Sequence, residues 1–276
     1  MPLCKHWMIS STGRGMAGGS TVAACTAISL AWQFRINVLL IHAKGRGEGV
    51  ERLFPPSIDL VGEAGIGGRL TTPNGWSALV RMLKNHQVDE ESISTYMTSV
   101  MSRLDILPGY ESGEMEDMLN ADLILHVQRL VSKRYDLVLW DINEQDFISL
   151  KLTGNMHLHG TIAVISQVRS EIHNAMENIS KRADAFVIGQ YDTNVRLNPI
   201  NVKRMYFLHQ PIFAMPYSSA YRNAADDRML IDWYLRQSLR QDRGKRSPFI
   251  SEHEKLCRYI LEVSGYHPGR SRKAGG

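Results

Sequence analysis

Residues 11–32, STGRGMAGGSTVAACTAISLAW, combine closely spaced glycines with a long apolar run. The glycines lead into this apolar run, which predicts a helix over 20–34, and the apolar segment 7–10 before them predicts a strand. A strand, a glycine-rich loop and a helix in this order are typical of a phosphate-binding loop, in which backbone N–H groups and the helix N-terminus hold an anion. The stretch therefore predicts an anion site where the helix begins.

The loop departs from the usual phosphate-binding pattern at one position. That pattern is G-x-x-x-x-G-K-[ST], whereas Gly13, Gly18, Gly19 and Ser20 form G-x-x-x-x-G-G-S. The lysine of the pattern balances charge as a terminal phosphate leaves, and Gly19 has no side chain to do so. A triphosphate can still bind through the backbone, but fast hydrolysis is not expected. The alternative is a glycine-rich turn that only lets the strand and helix pack closely.

The rest of the chain alternates apolar strands with helical patterns. Because the strands are continuously apolar and separated by helices, we expect an α/β fold with a doubly wound, mainly parallel sheet flanked by helices. The further predicted strands are 37–43, 103–109, 135–141, 160–166, 185–192 and 211–217, and the further predicted helices are 116–133, 168–182, 199–207, 226–241 and 251–263. We expect one domain over residues 1–265 and a basic, disordered tail over 266–276.

Composition narrows the class of protein. The chain has 276 residues, of which 43% are hydrophobic, and a net charge of +4, which allows one large core and a mildly basic surface. Its cysteines are Cys4, Cys25 and Cys257, without a CxxC pair, so neither a disulfide framework nor a zinc knuckle is indicated. No uncharged apolar run approaches the ~18 residues of a membrane helix. We expect a cytoplasmic protein in a reducing compartment.

Residues 14–21, RGMAGGST, resemble the signature K-G-G-x-G-K-[ST]-T of the MinD/ParA group of P-loop ATPases, which belongs to the SIMIBI class. Gly15, Gly18, Ser20 and Thr21 match the signature, whereas Arg14, Met16 and Gly19 replace a lysine, a glycine and the catalytic lysine. The resemblance implies that nucleotide is held by Gly13, Arg14, Gly15, Met16, Ala17, Gly18, Gly19, Ser20 and Thr21. It also implies that the Ser20 hydroxyl holds Mg²⁺. Arg14 has two interpretations: a residue that reaches a partner protomer's nucleotide, as the resemblance implies, or an exposed loop arginine.

Three later segments extend the resemblance over about residues 5–263. VLLIHAK has His42 and Lys44 where the family has aspartates, and YDLVLWD retains Asp141, which implies that Asp141 holds the metal through water. AMPYSSAY matches the segment near the adenine, which implies base contacts from Pro216 and Tyr217. Lys44 has two interpretations: a solvated loop lysine, which we favour, or a replacement for the missing positive charge.

These losses are typical of the degenerate members of the group, which include TadZ-like proteins of pilus assembly and BcsQ-like proteins of cellulose secretion. The segments SRLDILPGYES, YDLVLWDIN, NVKRMYF and PIFAMPYSSAYRNAADD resemble the TadZ-like proteins. The resemblance implies a localisation or scaffolding factor for Flp/Tad-type pilus assembly or a related secretion system. It further implies ATP or ADP with Mg²⁺ as ligand, little hydrolysis, and a homodimer that meets the inner face of the membrane or a cell pole only through partner proteins.

Three alternatives stay open at this point. The first is a slow but genuine ATPase in which Arg14 or Lys44 replaces Gly19 in function. The second is a ParA-type DNA-partition protein that uses the basic segment 236–247 on DNA. The third is a purely structural dimer that binds no nucleotide.

Overall fold

The strands form one sheet whose centre carries the glycine-rich stretch. The computed structural model describes residues 4–12, 17–45, 49–55, 75–85, 87–110, 121–144, 157–240 and 246–266. Its strands are β1 Lys5–Ser11, β2 Val38–Ala43, β3 Thr98–Met101, β4 Leu104–Leu107, β5 Leu137–Asn143, β6 Gly160–Ile165, β7 Ala185–Tyr191 and β8 Ile212–Pro216. They pair in the order β3-β4-β2-β5-β1-β6-β7-β8, and every pairing is parallel except that of β3 with β4. The predicted fold class is confirmed.

Helices cover both faces of this sheet. They are α1 Gly19–Trp32, α2 Trp76–Lys84, α3 Ala121–Val131, α4 Arg169–Asn178, α5 Pro199–Met205, α6 Ser219–Asp226, α7 Leu230–Leu239 and α8 Pro248–Val263, with 3₁₀ turns at Val50–Leu53 and Ser92–Tyr96. One apolar cluster packs α1, α7 and α8 on one face, and a second packs α2 to α5 on the other. None of these helices is both long and apolar enough to cross a bilayer.

The predicted strands are confirmed, with ends that move by no more than two residues. The antiparallel edge strand β3 was not predicted, because its four residues carry only a weak apolar pattern. It joins β4 through a tight turn at Arg103, whose φ of 70° lies in the left-handed region. The short helix α2 was not predicted either.

The predicted helix over 226–241 corresponds to α7, which begins four residues later than predicted, whereas α6, which ends at Asp226, was not predicted; a break separates the two helices. The break between α6 and α7 is a helix-ending motif at Arg228, whose φ is 58°. There the N–H of Met229 donates to the carbonyl of Ala224 and the N–H of Arg228 to that of Ala225. An arginine in the left-handed backbone conformation cannot be recognised from the sequence as a glycine would be, so the end of α6 was not predicted.

The end of the described chain is folded against the sheet. Helix α8 buries Phe249, Ile250, Leu256 and Ile260 against α1 and β8. The Tyr266 hydroxyl donates to the carbonyl of Asp136 at 2.8 Å, so this residue belongs to the domain rather than to the predicted tail. Residues 267–276 of that tail lie outside the described residues.

Candidate functional site

The described part of the predicted phosphate-binding loop lies between β1 and α1, as the sequence predicts. Gly18 precedes the helix with a φ of 77°, a conformation that favours glycine, and supplies no side chain to cap the first turn. The first backbone N–H groups of α1 therefore receive no side-chain cap from the described residues, which is the arrangement that binds anions at helix N-termini. Gly13, Arg14, Gly15 and Met16 lie outside the described residues.

Position 19 is closed to any side chain by the packing of the helix on its strand. A Cβ added to Gly19 would lie 2.6 Å from Cβ of Ser11 in β1, closer than real Cβ atoms approach one another. The loop is held equally tightly on its other side, where a Cβ at Gly189 would lie 1.8 Å from the carbonyl oxygen of Ala17. The absence of a lysine at position 19 is thus part of how β1 and α1 pack.

A buried cluster of polar side chains lies beside the start of α1. The Ser20 hydroxyl donates to Asp141 Oδ2 at 2.7 Å, and Lys44 Nζ donates to Asp141 Oδ1 at 2.5 Å. Lys44 Nζ also lies 3.4 Å from Ser20 Oγ. The Asp141 side chain has no solvent exposure and that of Lys44 is 13% exposed. The interpretation of Lys44 as a solvated loop residue is therefore wrong.

Strand register brings this cluster together. β2 and β5 are parallel neighbours, and His42 pairs with Asp141 across them. Because side chains alternate along a strand, Lys44 leaves the end of β2 on the same side as His42 and reaches the same carboxylate. Asp141 lies near the carboxyl end of β5, next to β1, where ligands bind in open α/β sheets.

Two further residues complete the cluster and were not predicted as site residues. His42 is fully buried, and its Nδ1 lies 3.1 Å from Glu51 Oε1. Glu51 Oε1 also accepts a hydrogen bond from the backbone N–H of Gly109. His42 Nε2 has no hydrogen-bond partner within the described part of the chain and lies 3.8 Å from Asp141 Oδ2. Glu51 sits on a 3₁₀ turn, and no local pattern in the sequence relates it to β2.

The predicted base-binding segment lies across a small cleft from the start of α1. Gly18 and Thr21 line one side of this cleft, and Pro216 and Tyr217 line the other. The cavity between them is about 50 Å³, so an adenine enters only if the cleft widens. The structure thus brings together the two groups of residues that the sequence assigned to phosphate and to base.

Tyr221 connects the two sides of the cleft and was missed as an individual site residue. Its hydroxyl donates to Thr21 Oγ1 at 2.8 Å, while its ring stacks on Phe249 at 5.3 Å. Burial raises the pKa of the Tyr221 hydroxyl well above its usual value, so it stays a hydrogen-bond donor. Arg222 lies 5.7 Å above the ring of Tyr217, which places a cation at the mouth of the cleft.

The basic segment 236–247 does not form one continuous charged surface among its described residues. Arg246 pairs with Glu254 of α8, which neutralises its charge locally. Arg236 and Arg240 line a groove next to Asp227 and Asp232. Arg243 and Lys245 lie outside the described residues.

Magnesium does not fit the Ser20–Asp141 pair as the side chains are arranged. Both carboxylate oxygens of Asp141 already accept hydrogen bonds, one from Ser20 and one from Lys44. A divalent cation at these oxygens would meet the Lys44 ammonium, and like charges at this separation repel strongly in a buried site. The predicted metal role of Ser20 and Asp141 therefore requires Lys44 to leave.

The comparisons with known proteins agree on the fold. No protein-family model matches the sequence, and no curated protein matches it. The chain is similar to the solved structure of a ParA family ATPase from Chlorobium tepidum, with 12% identity and a TM-score of 0.68 over 92% of this chain and 99% of that one.

Two MinD structures give the same result. The chain is similar to septum site-determining protein MinD from Pyrococcus horikoshii complexed with Mg-ADP, with 15% identity and a TM-score of 0.65 over 95% of this chain and 98% of that one. It is also similar to a chain of the MinC:MinD cell division complex of Aquifex aeolicus, with 15% identity and a TM-score of 0.62 over 98% and 99%. The sheet order, the loop between β1 and α1 and these likenesses together establish that the chain has the fold of the ParA and MinD ATPases.

Proposed function

We propose that this protein binds ATP or ADP in the cleft at the start of α1 and acts as a MinD/ParA-like localisation or scaffolding factor with little hydrolysis. One observation carries the proposal: the uncapped start of α1, at Gly18–Thr21, faces Pro216 and Tyr217 across a single cleft. A nucleotide laid along this cleft has its phosphates at backbone N–H groups and its base beside an aromatic ring. The Mg-ADP complex of the similar MinD from Pyrococcus horikoshii supports a nucleotide as the ligand.

The lack of room for a side chain at position 19 supports a low rate of ATP hydrolysis. A lysine there would neutralise charge on the phosphates as the terminal one leaves, and the contact of Gly19 with Ser11 leaves no room for it. The backbone of Ala17–Thr21 and the nearby Lys44 then supply what positive potential the site has. Binding through these groups serves a slow switch better than rapid turnover.

The remaining parts of the proposal rest on the resemblance of the sequence. The chain forms a homodimer in which Arg14 reaches the partner protomer's nucleotide, and bound nucleotide stabilises the dimer through these added contacts. It resides in the cytoplasm and reaches the inner face of the membrane or a cell pole through pilus or secretion assembly proteins. The solved MinC:MinD complex supports a function exerted through a partner protein.

A slow but genuine ATPase is the second candidate, and the position of Lys44 favours it. Its ammonium lies 3.4 Å from Ser20 Oγ at the start of α1, near enough to share the charge of a departing phosphate. Steady phosphate release that disappears in both Lys44→Met and Asp141→Ala would establish this candidate and reject a non-hydrolysing factor.

Two measurements test the proposal. Calorimetric titration with ATP and ADP measures nucleotide binding, and size-exclusion chromatography with light scattering shows whether the bound chain is a dimer. We expect binding between micromolar and millimolar, roughly 4–8 kcal/mol, and turnover far below ~1 s⁻¹. Thr21→Glu places a carboxylate at the first turn of α1, where it suits the helix dipole but repels phosphate, so it abolishes binding without unfolding the chain. Thr95→Glu, at an exposed position of the second 3₁₀ turn, is the matched control.

The proposal fails if ATP and ADP do not bind, or if Thr21→Glu binds them as tightly as the unaltered chain does. The assembly role has its own test in the source organism. A fluorescently tagged chain is expected to concentrate at a pole or at the envelope and to become diffuse when the pilus assembly genes are deleted. An unchanged distribution after the deletion would contradict the assembly role while leaving nucleotide binding intact.

A further inference from the structure

The Lys44 ammonium occupies the place that a metal ion would need at Ser20 and Asp141. Its Nζ atom lies 2.5 Å from Asp141 Oδ1 and 3.4 Å from Ser20 Oγ, the two groups that the resemblance assigns to Mg²⁺. We propose that Lys44 is the protein's own cation at this position and that the site works without a divalent metal. The inference concerns the same site as the proposed function, but its test does not depend on nucleotide binding.

The position of Lys44 is built into the fold rather than being one of many surface conformations. Its backbone carbonyl accepts a hydrogen bond from the N–H of Tyr110 at 3.1 Å. A Cβ at Gly109 would lie 2.2 Å from the same carbonyl oxygen, so only glycine allows this approach. Lys44 therefore leaves β2 from a backbone that is fixed on the segment after β4, and its side chain is directed at β5.

The charges around Asp141 favour a single positive charge. Among the described residues, the ionisable side chains near this carboxylate besides Lys44 are His42, with Nε2 at 3.8 Å, and beyond it Glu51, which contacts His42 Nδ1 at 3.1 Å. The ammonium balances Asp141, whose side chain has no exposure, and also donates a hydrogen bond to it. A divalent ion would have to displace this ammonium from Asp141, and the displaced ammonium would remain close to the metal, which has the same sign of charge.

The geometry separates this role from that of the lysine missing at position 19. A lysine at position 19 would start from the first turn of α1 and extend toward the phosphates. Lys44 instead starts from the end of β2 and places its Nζ between Asp141 and Ser20. An anion at the start of α1 would consequently meet a fixed positive charge whether or not magnesium is present.

Thermal unfolding in MgCl₂ or MnCl₂, against NaCl of equal ionic strength, tests the inference. We expect no divalent-specific shift in the unaltered chain. Lys44→Met frees the Ser20–Asp141 pair to bind a metal, so the melting temperature of this variant is expected to rise by about 2–4 °C in Mg²⁺. The double variant Lys44→Met with Asp141→Asn is expected to lose this response. Lys133→Met, which breaks an exposed pair with Glu90, is the matched control and is expected to show no response.

Mn²⁺ binding followed by electron paramagnetic resonance measures the same site directly. Bound Mn²⁺ is expected in Lys44→Met and absent from the unaltered chain and from Lys44→Arg, which keeps the charge. Asp141-dependent Mn²⁺ binding by the unaltered chain would overturn the inference, as would a folded Lys44→Met variant that gains no Mn²⁺. If Lys44→Met does not fold, binding by the unaltered chain and Lys44→Arg decides the matter.

A separate titration distinguishes this inference from the proposed function. With Lys44 as the cation, ATP affinity of the unaltered chain is expected to change less than about twofold between Mg²⁺ and EDTA, because no metal has to be bound first. A loss of tenfold or more in EDTA would overturn the inference while supporting nucleotide binding. Failure of ATP to bind in either buffer, together with the expected metal results, would reject the proposed function alone.

Discussion

Lys44, directly after β2, and Asp141, in the adjacent strand β5, form a buried ion pair, with Nζ 2.5 Å from Oδ1. The two residues are 97 positions apart in the chain. The pair lies at the start of α1, where the chain lacks the usual lysine. A buried pair of this kind costs desolvation when it forms, so its contribution appears mainly when one partner is removed.

The stability of Lys44 and Asp141 variants is expected to be strongly non-additive. Lys44→Met leaves the Asp141 carboxylate buried without a cation, and its free energy of unfolding is expected to fall by about 3–5 kcal/mol. The double variant Lys44→Met with Asp141→Asn removes both charges and is expected to recover a large part of this loss. Urea denaturation of the four chains measures the coupling.

Lys133→Met is the control for the loss of a lysine. Its partner Glu90 is exposed, so its cost is expected to stay within about 1 kcal/mol. Equal costs for Lys44→Met and Lys133→Met, or additive single effects in the cycle, would contradict the buried pair.

Substitution of Gly19 is expected to destabilise the chain although it lies in a helix. Alanine favours helix over glycine by about 1 kcal/mol, but its Cβ would approach Ser11 Cβ to 2.6 Å. Because both atoms belong to packed backbone segments, overpacking is expected to win and to cost about 1–3 kcal/mol in total. Thermal or urea unfolding of Gly19→Ala measures this cost.

The matched variant is Ser11→Gly, which removes the atom that Gly19→Ala would meet. Gly19→Ala is expected to cost less in the Ser11→Gly background than in the unaltered chain. The same reasoning predicts that Gly19→Lys fails to restore hydrolysis unless Ser11→Gly accompanies it. A stabilising Gly19→Ala in the unaltered chain would show that β1 and α1 are not packed this tightly.

Tyr217 is expected to contribute to binding of the base and not of the phosphates. Its ring is 51% exposed at the mouth of the cleft, so Tyr217→Ala leaves the core intact. ATP affinity is expected to fall roughly tenfold, the scale of losing one base–aromatic contact, while affinity for inorganic triphosphate stays unchanged. Calorimetric titration with both ligands measures the difference.

Phe207→Ala is the control for removing an exposed aromatic ring. This residue is 86% exposed and lies in the segment that leads into β8 from the opposite end of the strand. Its removal is expected to change neither affinity. A parallel loss of triphosphate affinity in Tyr217→Ala would place Tyr217 at the phosphates and contradict the predicted orientation of the nucleotide.

Acid is expected to destabilise the chain through His253. Burial lowers the pKa of this ring from 6.5 to about 4, while the ring keeps a hydrogen bond to the Phe249 carbonyl. Below about pH 6.5 the unfolded chain takes up a proton that the folded chain refuses until about pH 4, so stability falls as pH falls through this window. The total loss is on the order of 3 kcal/mol.

Urea denaturation at a series of pH values measures this linkage. His253→Leu is expected to flatten the dependence of the free energy of unfolding on pH, although His6, whose pKa burial lowers to about 3, contributes with the same sign. His173→Leu, on an exposed face of α4, is the control and is expected to leave the dependence unchanged. An unchanged slope in His253→Leu would contradict burial of this ring.

The local parts of the site could be predicted from the sequence. The loop between β1 and α1, and Asp141 near the end of β5, follow from short apolar runs and glycine spacing, because strand alternation and helix starts depend on neighbouring residues. Pro216 and Tyr217 were assigned from the resemblance, and the structure places them across the cleft from Thr21.

The residues that act across elements could not be predicted in the same way. Lys44 looked like one of several basic residues in a loop, and Glu51 lies on a 3₁₀ turn without any pattern of its own. Their contacts depend on the register of β2 against β5 and on a turn that returns to His42. The hydrogen bond of Tyr221 to Thr21 joins residues 200 positions apart.

The α/β class, the place of the phosphate-binding loop and the loss of its lysine follow from the sequence alone, since each of these depends on residues close together in the chain. The lack of room for a side chain at position 19 and the place of the Lys44 ammonium beside Asp141 are evident only in the folded chain. Close packing and ion pairing depend on distances between separate strands and helices, which local sequence patterns do not encode.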